Sequence, residues 1–320
     1  MSRLGSISSN DEPRRRRTLG HAQLNCPPLP HTLLEAMRLV DNPSLADQRR
    51  VVRMAESDPV VTVRLLRLVN SAYYSFASEV TDVDRAVRLL GPSTVSGIVM
   101  SMNVARIHST MEGPAGPLFA RLTRQGVATA HLADWLGQWL LPDGSPRLFL
   151  FGLLRHFGKT VLMYNFPEES AALYGDASRA DADLGEAERE VFGCTSREAA
   201  LHVADSLDFP PEFKGAITTE PEGDVGPITE AATSAAAAFG FWFVKPLSWE
   251  DCRKLPIWQT LMARFPHRTG ELDELLGRVE NRREDVERFV FHMLAPRTDR
   301  KPVPPGGGPS ESGKKVNPAA

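Results

Sequence analysis

The chain contains 320 residues, of which 42% are hydrophobic, so it can bury one large core or two modest ones. A formal net charge of -3 and a pI near 6.3 give no overall attraction to nucleic acid or to anionic membranes. The three cysteines, Cys26, Cys194 and Cys252, are too widely separated for a CxxC redox pair or a zinc ribbon. No stretch approaches the ~20 consecutive apolar residues of a membrane span, and these features together predict a cytoplasmic protein.

The two ends of the chain are predicted to be flexible tails. Residues 1–25 are rich in Ser and Arg and poor in large apolar side chains, and residues 297–320 are rich in Pro and Gly. The basic run Arg14–Arg17 can attract phosphates, but four charges in a flexible tail provide no sequence recognition. A solvated tail is therefore the favoured interpretation, and nucleic acid is disfavoured as a partner.

Helix start and stop signals follow one another in the N-terminal part of the chain. Ser44 and Asp47 resemble a capping box, and Asp58-Pro59 joins a preferred N-cap residue to one that suits the first helical position. Asp82 can cap the next helix, which Gly91-Pro92 is expected to end because proline cannot continue it. Apolar residues recur at helical spacing after each of these starts.

The rest of the chain continues the helical pattern. The predicted helical segments, the second of which forms one or two helices, are Leu118–Leu141, Arg147–Tyr164, Leu184–Phe192, Ser196–Leu207 and Pro211–Thr219. A Pro/Gly-rich break at 221–227 precedes a C-terminal helical extension, residues 222–296, which ends in an amphipathic helix over Gly270–Leu294. The apolar face of that helix suits packing on the domain or a homodimer contact. No two segments alternate like a β-hairpin, so the predicted fold is all-α.

Four motifs give the N-terminal part a family resemblance. They are Pro27-Pro28-Leu29-Pro30, Asp58-Pro59, the Leu-Leu-Arg-Leu-Val-Asn-Ser-Ala-Tyr-Tyr segment from Leu65 to Tyr74, and Ala86-Val87-Arg88-Leu89-Leu90-Gly91. In order and approximate spacing they resemble the HDOD (HD-related output) domain of bacterial signalling proteins. The resemblance covers about residues 26–221 and implies a multi-helix bundle related to that of the HD phosphohydrolases.

The resemblance also locates the positions at which HD phosphohydrolases hold divalent metal ions with histidines and aspartates. In this chain those positions are occupied by Gln125, His156, Phe157, Ser196, Thr218 and Thr219. Only His156 keeps a metal-binding side chain, and Phe157 replaces the aspartate that would follow it. Several ligands must converge to offset the dehydration of a metal ion. The resemblance therefore implies a degenerate site with no metal and no cofactor.

The leading hypothesis is a non-enzymatic adaptor that binds a protein partner in a bacterial signal-transduction pathway. The alternative is a metal-dependent phosphohydrolase that uses His156 with an unrecognised ligand set. A third hypothesis, a regulator that binds nucleotide or nucleic acid, has less support. Gly158-Lys159-Thr160 resembles the end of a P-loop, but five residues instead of four separate it from Gly152.

One segment offers a candidate partner surface. Asn70, Tyr73 and Tyr74 suit an architectural role, because Asn70 can satisfy a helix end and the tyrosines combine a large ring with a polar tip. Together with Arg67 they also form a candidate contact surface, since aromatic and Arg residues dominate interface hot spots. The sequence leaves both interpretations open.

Overall fold

The computed structural model describes residues 24–41, 48–141, 147–175, 184–207, 209, 214 and 223–294. Within these ranges every regular element is a helix, which confirms the predicted all-α fold. The first helices are α1 (His31–Asp41), α2 (Gln48–Glu56), α3 (Pro59–Val69), α4 (Val83–Leu90), α5 (Pro92–Ser109) and α6 (Gly116–Leu140). The middle helices are α7 (Arg147–Leu154), α8 (Phe157–Asn165), α9 (Pro167–Gly175), α10 (Leu184–Phe192) and α11 (Ser196–Ser206). The last helices are α12 (Val225–Ala238), α13 (Trp249–Arg253), α14 (Pro256–Arg264), α15 (Pro266–Thr269), α16 (Leu272–Glu280) and α17 (Arg283–Leu294).

Some sequence predictions fall on other parts of the chain. Four of these predictions lie outside the described residues: the Arg14–Arg17 run, the Ser44/Asp47 capping box, Thr218 and Thr219. Almost all of the helix predicted over Pro211–Thr219 also lies outside them. Near the predicted start of the domain, Asn25 and Asn165 exchange two hydrogen bonds of 2.9 Å. None of the described helices has the length and apolarity needed to cross a bilayer.

The predicted start signals of α3 and α4 are confirmed at atomic level. The Asp58 carboxylate accepts hydrogen bonds from the amides of Val60 and Val61, and Pro59 occupies the first turn of α3. The Asp82 carboxylate accepts from the amide of Arg85 at 2.7 Å. Gly91 ends α4 with a φ of 83°, a left-handed value that favours glycine, and α5 begins at the next residue.

The Asp58 cap should make the stability of the protein depend on pH. Burial raises the pKa of Asp58, but hydrogen bonds from Arg106, at 2.6 Å, and from two amides outweigh it, so the pKa lies below its usual value. A carboxyl group with a lowered folded-state pKa stabilises the fold above its unfolded pKa, and this contribution is lost as the pH falls through the folded value. We expect Asp58→Ala to lower the free energy of unfolding at pH 7 by about 2 kcal/mol. Urea denaturation at pH 7 and at acidic pH measures this difference, which should shrink in acid.

Asp58→Asn is the matched control, because an Asn side chain still accepts the amide hydrogen bonds but cannot pair with Arg106 as an anion. It should lose less stability than Asp58→Ala, and the pH-dependent part of the loss should be the same in both variants because neither carries a titratable group at position 58. Equal losses in the two variants at all pH values would contradict the assignment of Asp58 as a helix cap.

Helix α6 is the central element of the bundle, and α5, α7, α12 and α17 all pack against it. The α6 and α7 backbones approach closely because glycines stand at their crossing. A Cβ atom on Gly152 of α7 would lie 2.6 Å from the Cα of Ala130 on α6. Residues 148–154 of α7 are all buried, so this short helix is surrounded by other elements on every side.

The C-terminal helices share the core of the N-terminal ones. Phe289 of α17 is buried and stacks on His131 of α6, with ring centroids 4.4 Å apart. Its ring also lies 5.4 Å from that of Tyr73 and 6.5 Å from that of Phe149. The apolar face of α17 is therefore used within the chain, which is the first of the two roles that its sequence allows.

The prediction of a single helix over Gly270–Leu294 is wrong, because the structure has two helices there. Helix α16 ends at Glu280, and α17 begins at Arg283 after a turn. The break falls in a polar run, residues 280–285, which separates Val279 from the next buried apolar side chain, Val286. No apolar side chain holds this stretch against the core, so the chain can turn and bury both apolar faces separately.

Candidate functional site

A pocket of about 350 Å³ lies between α6, α8, α11 and α12. Its polar lining residues are Gln125, Arg155, His156, Lys159, Ser196, Arg197, Glu230, Thr233, Ser234 and Lys245. Three of these, Gln125, His156 and Ser196, occupy positions that the sequence aligns with HD metal ligands. The fold thus brings together at one pocket residues that are up to 71 positions apart in the sequence.

Close packing of α8 on α11 shapes one wall of the pocket. A Cβ atom on Gly158 would overlap the carbonyl oxygen of Ser196. The Thr195 side chain caps α11 and forms a capping box with Glu198. Ser196 is therefore fixed at the start of α11, directly opposite the first turn of α8.

Gln125 extends from α6 into the pocket and is 6% exposed. Its Oε1 atom is buried and has no hydrogen-bond partner among the described residues. A buried amide oxygen without a partner costs about 1–3 kcal/mol. The Gln125 Oε1 atom is thus an unsatisfied hydrogen-bond acceptor in the wall of the pocket.

His156 lies in the link between α7 and α8 and stands at the N-cap position of α8 without a side-chain capping bond. Its Nε2 atom is buried and has no partner in the described part of the chain. Burial, followed by the nearby charges of Lys159 and Arg155, holds the pKa of His156 well below 6.5. The imidazole is therefore neutral at physiological pH.

Phe157, the next residue, is the first residue of α8. It does not line the polar pocket but an adjacent apolar cavity of about 40 Å³, together with Leu29, Leu33 and Phe209. Its ring centroid is 6.2 Å from that of Phe209. Phe157 is therefore absent from the pocket that Gln125, His156 and Ser196 share, whereas His156 lines both the pocket and the cavity.

A buried ion pair fixes Lys159 at the edge of the pocket. Its Nζ atom lies 3.4 Å from Glu188, and the two side chains are 15% and 2% exposed. The Glu188 carboxylate also accepts hydrogen bonds from the Tyr174 hydroxyl, at 2.8 Å, and from the Ser196 amide, at 2.6 Å. Glu188 thereby ties together α8, α9, α10 and α11 behind the pocket.

Sequence reasoning missed the cations around the pocket. Arg155 and Lys159 lie on either side of the His156-Phe157 pair, and Arg197 follows Ser196, so each stands close to a position that aligns with an HD metal ligand. Lys245 comes from the segment after α12, and nothing in its local sequence indicates the pocket. Arg155, Arg197 and Lys245 form no ion pair with any described residue. Burial lowers the pKa of Arg155, although Glu230 acts in the opposite direction.

The donor set does not fit a catalytic divalent metal ion. Across the described ranges, no group of three or more His, Cys, Asp or Glu side chains converges to hold one. Glu230 and His156 are the pocket's own carboxylate and imidazole, and cations surround them. Adjacent positive charge opposes the binding of a metal cation, so the pocket does not suit one.

A second buried histidine, His108, was also missed by the sequence reasoning. Its Nδ1 and Nε2 atoms lie 2.5 Å from the Thr123 hydroxyl and 3.0 Å from the Thr160 hydroxyl. Burial lowers its pKa to about 4. Both ring nitrogens have partners, so His108 joins α5, α6 and α8 as a neutral structural residue beside the apolar cavity.

The candidate partner residues differ in how firmly they are held. The Asn70 side chain donates to the Val80 carbonyl at 2.8 Å and accepts from the Val80 amide at 2.7 Å, which closes the loop after α3. The Tyr73 hydroxyl lies 3.2 Å from His131 Nε2, and Tyr74 stacks on Phe76. Both tyrosines are half-buried, whereas Asn70 and Arg67 are exposed. The architectural role of this segment thus has explicit contacts, and its role as a partner surface stays a prediction.

Comparisons with known proteins agree with this fold. The model of the HDOD domain family matches residues 26–222. A relative from Treponema pallidum (strain Nichols), named an uncharacterized protein, is 29% identical over 145 residues, or 44% of this chain and 27% of the relative. The matched segment thus spans about a quarter of that relative's length.

Two solved structures are similar in fold. An HDOD domain protein of unknown function from Geobacter sulfurreducens has a TM-score of 0.70 and 16% identity, covering 85% of this chain and 94% of its own. A candidate phosphohydrolase from Shewanella amazonensis SB2B has a TM-score of 0.60 and 22% identity, covering 84% of this chain and 95% of its own. At these identities the likeness concerns the fold alone.

Proposed function

Because the chain belongs to the HDOD domain family, we propose that it is a non-enzymatic regulator that transmits a signal by binding a protein partner. The domain keeps the helical framework of the HD phosphohydrolases and has lost their metal chemistry. Such a domain acts through what it binds, and its partner belongs to a bacterial signalling pathway.

One observation carries the proposal: the pocket at the former metal-ligand positions is lined by an amide, a hydroxyl and a single neutral imidazole. Gln125 and Ser196 replace side chains that would have to ligate the ion, and Phe157 faces an apolar cavity. Activation of a water molecule by a metal ion requires several anionic or imidazole ligands around one point. The arrangement therefore supports binding in preference to hydrolysis.

The partner surface that suits this function is the exposed edge beside the loop after α3. Arg67 and Asn70 line an open groove there with Glu79, Thr81 and His292 of α17. Asn70 holds the loop in place through Val80, so the surface is preorganised. Preorganised Arg-bearing surfaces suit protein recognition because little entropy is lost on contact.

Metal analysis and a phosphodiesterase assay test the non-enzymatic part. We expect the purified chain to contain much less than stoichiometric Mn or Fe and to hydrolyse bis(p-nitrophenyl) phosphate no faster than His156→Ala. His267→Ala, which removes an exposed histidine from α15, is the matched control. Stoichiometric metal, together with activity that His156→Ala abolishes and His267→Ala retains, would overturn the proposal.

Affinity capture with the full chain tests the partner-binding part. We expect one specific partner to be retained by the wild type and by Arg253→Glu, which alters an exposed arginine on α13, and to be lost with Arg67→Glu. Equal retention by both variants would reject this edge as the contact surface.

A further inference from the structure

We propose that the pocket between α6, α8, α11 and α12 binds the phosphate group of a small phosphate ester directly, without a metal ion. This inference rests on the proposed function, since a metal-bearing site would hold phosphate through its ion. It assigns a ligand class to a pocket that would otherwise be a remnant of lost chemistry.

The charge around the pocket favours an anion. Arg155, Lys159, Arg197 and Lys245 line it, against the single lining carboxylate of Glu230. Glu188, which lies behind the pocket, pairs with Lys159. When Glu188 is included, the pocket still has four cations and two carboxylates. Arginine binds phosphate oxygens through two parallel N–H donors, which suits a ligand held in a defined orientation.

Uncharged donors are also available at the first turn of α8. The amides of Phe157 and Gly158 have no acceptor among the described residues, and Gly158 lines the pocket. The N-terminus of a helix favours anions because its free N–H groups and its dipole point toward them. The start of α11 differs, since the amides of Ser196 and Glu198 already donate to the side chains of Glu188 and Thr195, respectively.

Two unpartnered side chains provide the independent sign of a ligand. Gln125 is 6% exposed and its Oε1 atom has no partner in the described part of the chain, while the His156 Nε2 atom is buried and equally unpaired. The neutral imidazole can donate a hydrogen bond to a phosphate oxygen, and the Gln125 Oε1 atom can accept one from the hydroxyl group of a singly protonated phosphate. A bound phosphate would satisfy groups that the protein alone leaves unsatisfied.

The size and the apolar wall of the pocket restrict the ligand further. A volume of about 350 Å³ accommodates a small molecule and not a folded chain. Leu184, Phe243 and Val244 form an apolar wall next to the cations. A phosphate ester whose organic part packs on this wall should therefore bind more tightly than inorganic phosphate.

Calorimetric titration of the full chain, freed of metal with EDTA, tests the proposal. Inorganic phosphate and AMP are the two probes, at constant ionic strength, and AMP should bind the more tightly. We expect Arg155→Gln to weaken the binding of both probes by about tenfold or more. The exposed double variant Arg197→Gln/Lys245→Gln should weaken it by about threefold to tenfold. The variant Lys254→Gln, which alters an exposed lysine at the C-terminal end of α13 and outside the pocket lining, should bind like the wild type.

The outcomes separate this proposal from the proposed function. The double variant alters only exposed side chains, so its affinity for the two probes still tests the phosphate site if Arg155→Gln fails to fold. Absence of binding up to about 10 mM of either probe, or equal binding by all variants, overturns the anion site. If the chain then also shows no hydrolysis, the proposed function stands without it. Binding that appears only after Mn²⁺ is added would overturn both.

Discussion

Phe157→Asp should lower the free energy of unfolding by about 3–4 kcal/mol and should not create a metal site. The substitution restores the residue type that an HD site needs after its histidine, but Phe157 lines the apolar cavity and not the polar pocket. The new carboxylate would face a mostly apolar lining that includes Leu29, Leu33 and Phe209, and no described lysine or arginine lines this cavity. Urea denaturation measures the loss, and metal analysis should still find much less than one Mn or Fe per chain.

Phe157→Leu is the control, because it keeps an apolar side chain and should cost about 1–2 kcal/mol. An apolar environment raises the pKa of a carboxyl group, so the stability of the Asp variant should be lost as the pH rises through that pKa. The difference in the free energy of unfolding between the Asp and Leu variants should thus become smaller at acidic pH. Stoichiometric metal and hydrolysis in Phe157→Asp would show that the site is one substitution away from catalysis.

Gly158→Ala should lower the free energy of unfolding by about 3 kcal/mol. The added methyl group would overlap the Ser196 carbonyl oxygen, which is backbone and cannot turn away like a flexible side chain. Helices α8 and α11 would have to separate, and this would also disturb the Ser196 amide on Glu188. Thermal or urea denaturation measures the loss.

Gly185→Ala is the matched control for that experiment. Gly185 also lies in a helix, α10, but no atom lies within 4 Å of the position of its missing Cβ. Alanine there should be neutral or stabilising by up to about 1 kcal/mol, because it favours helix more than glycine does. Equal destabilisation by the two changes would rule out the α8–α11 contact as the cause.

Local signals predicted much of the fold. Asp58-Pro59, Asp82 and Gly91-Pro92 act through hydrogen bonds and dihedral angles of neighbouring residues, so their roles can be read from short segments. The turn between α16 and α17 was missed because Gly270–Leu294 keeps its amphipathic pattern across it. The apolar faces of α16 and α17 belong to separate helices because each packs on the core separately, and the local pattern does not contain this information.

The candidate site was predictable only in part, because it is assembled from distant segments. The resemblance identified Gln125, His156 and Ser196, and the fold brings them to one pocket. It also grouped Phe157 with them, although Phe157 lines the apolar cavity and not the pocket, whereas His156 lines both. Lys245 could not be found from the sequence, since its place depends on how the segment after α12 returns across α11.

The stacking of Phe289 on His131 limits where the chain can be cut when it is fused to another domain. The segment that matches the family ends at residue 222, whereas the core continues through α17 to its contacts with Tyr73 and Phe149. A gene fusion cut at that residue would leave an aromatic face open to water and prone to aggregation. The folded unit is thus longer than the segment that matches the family model, and a domain exchange should transfer residues 26–294 together.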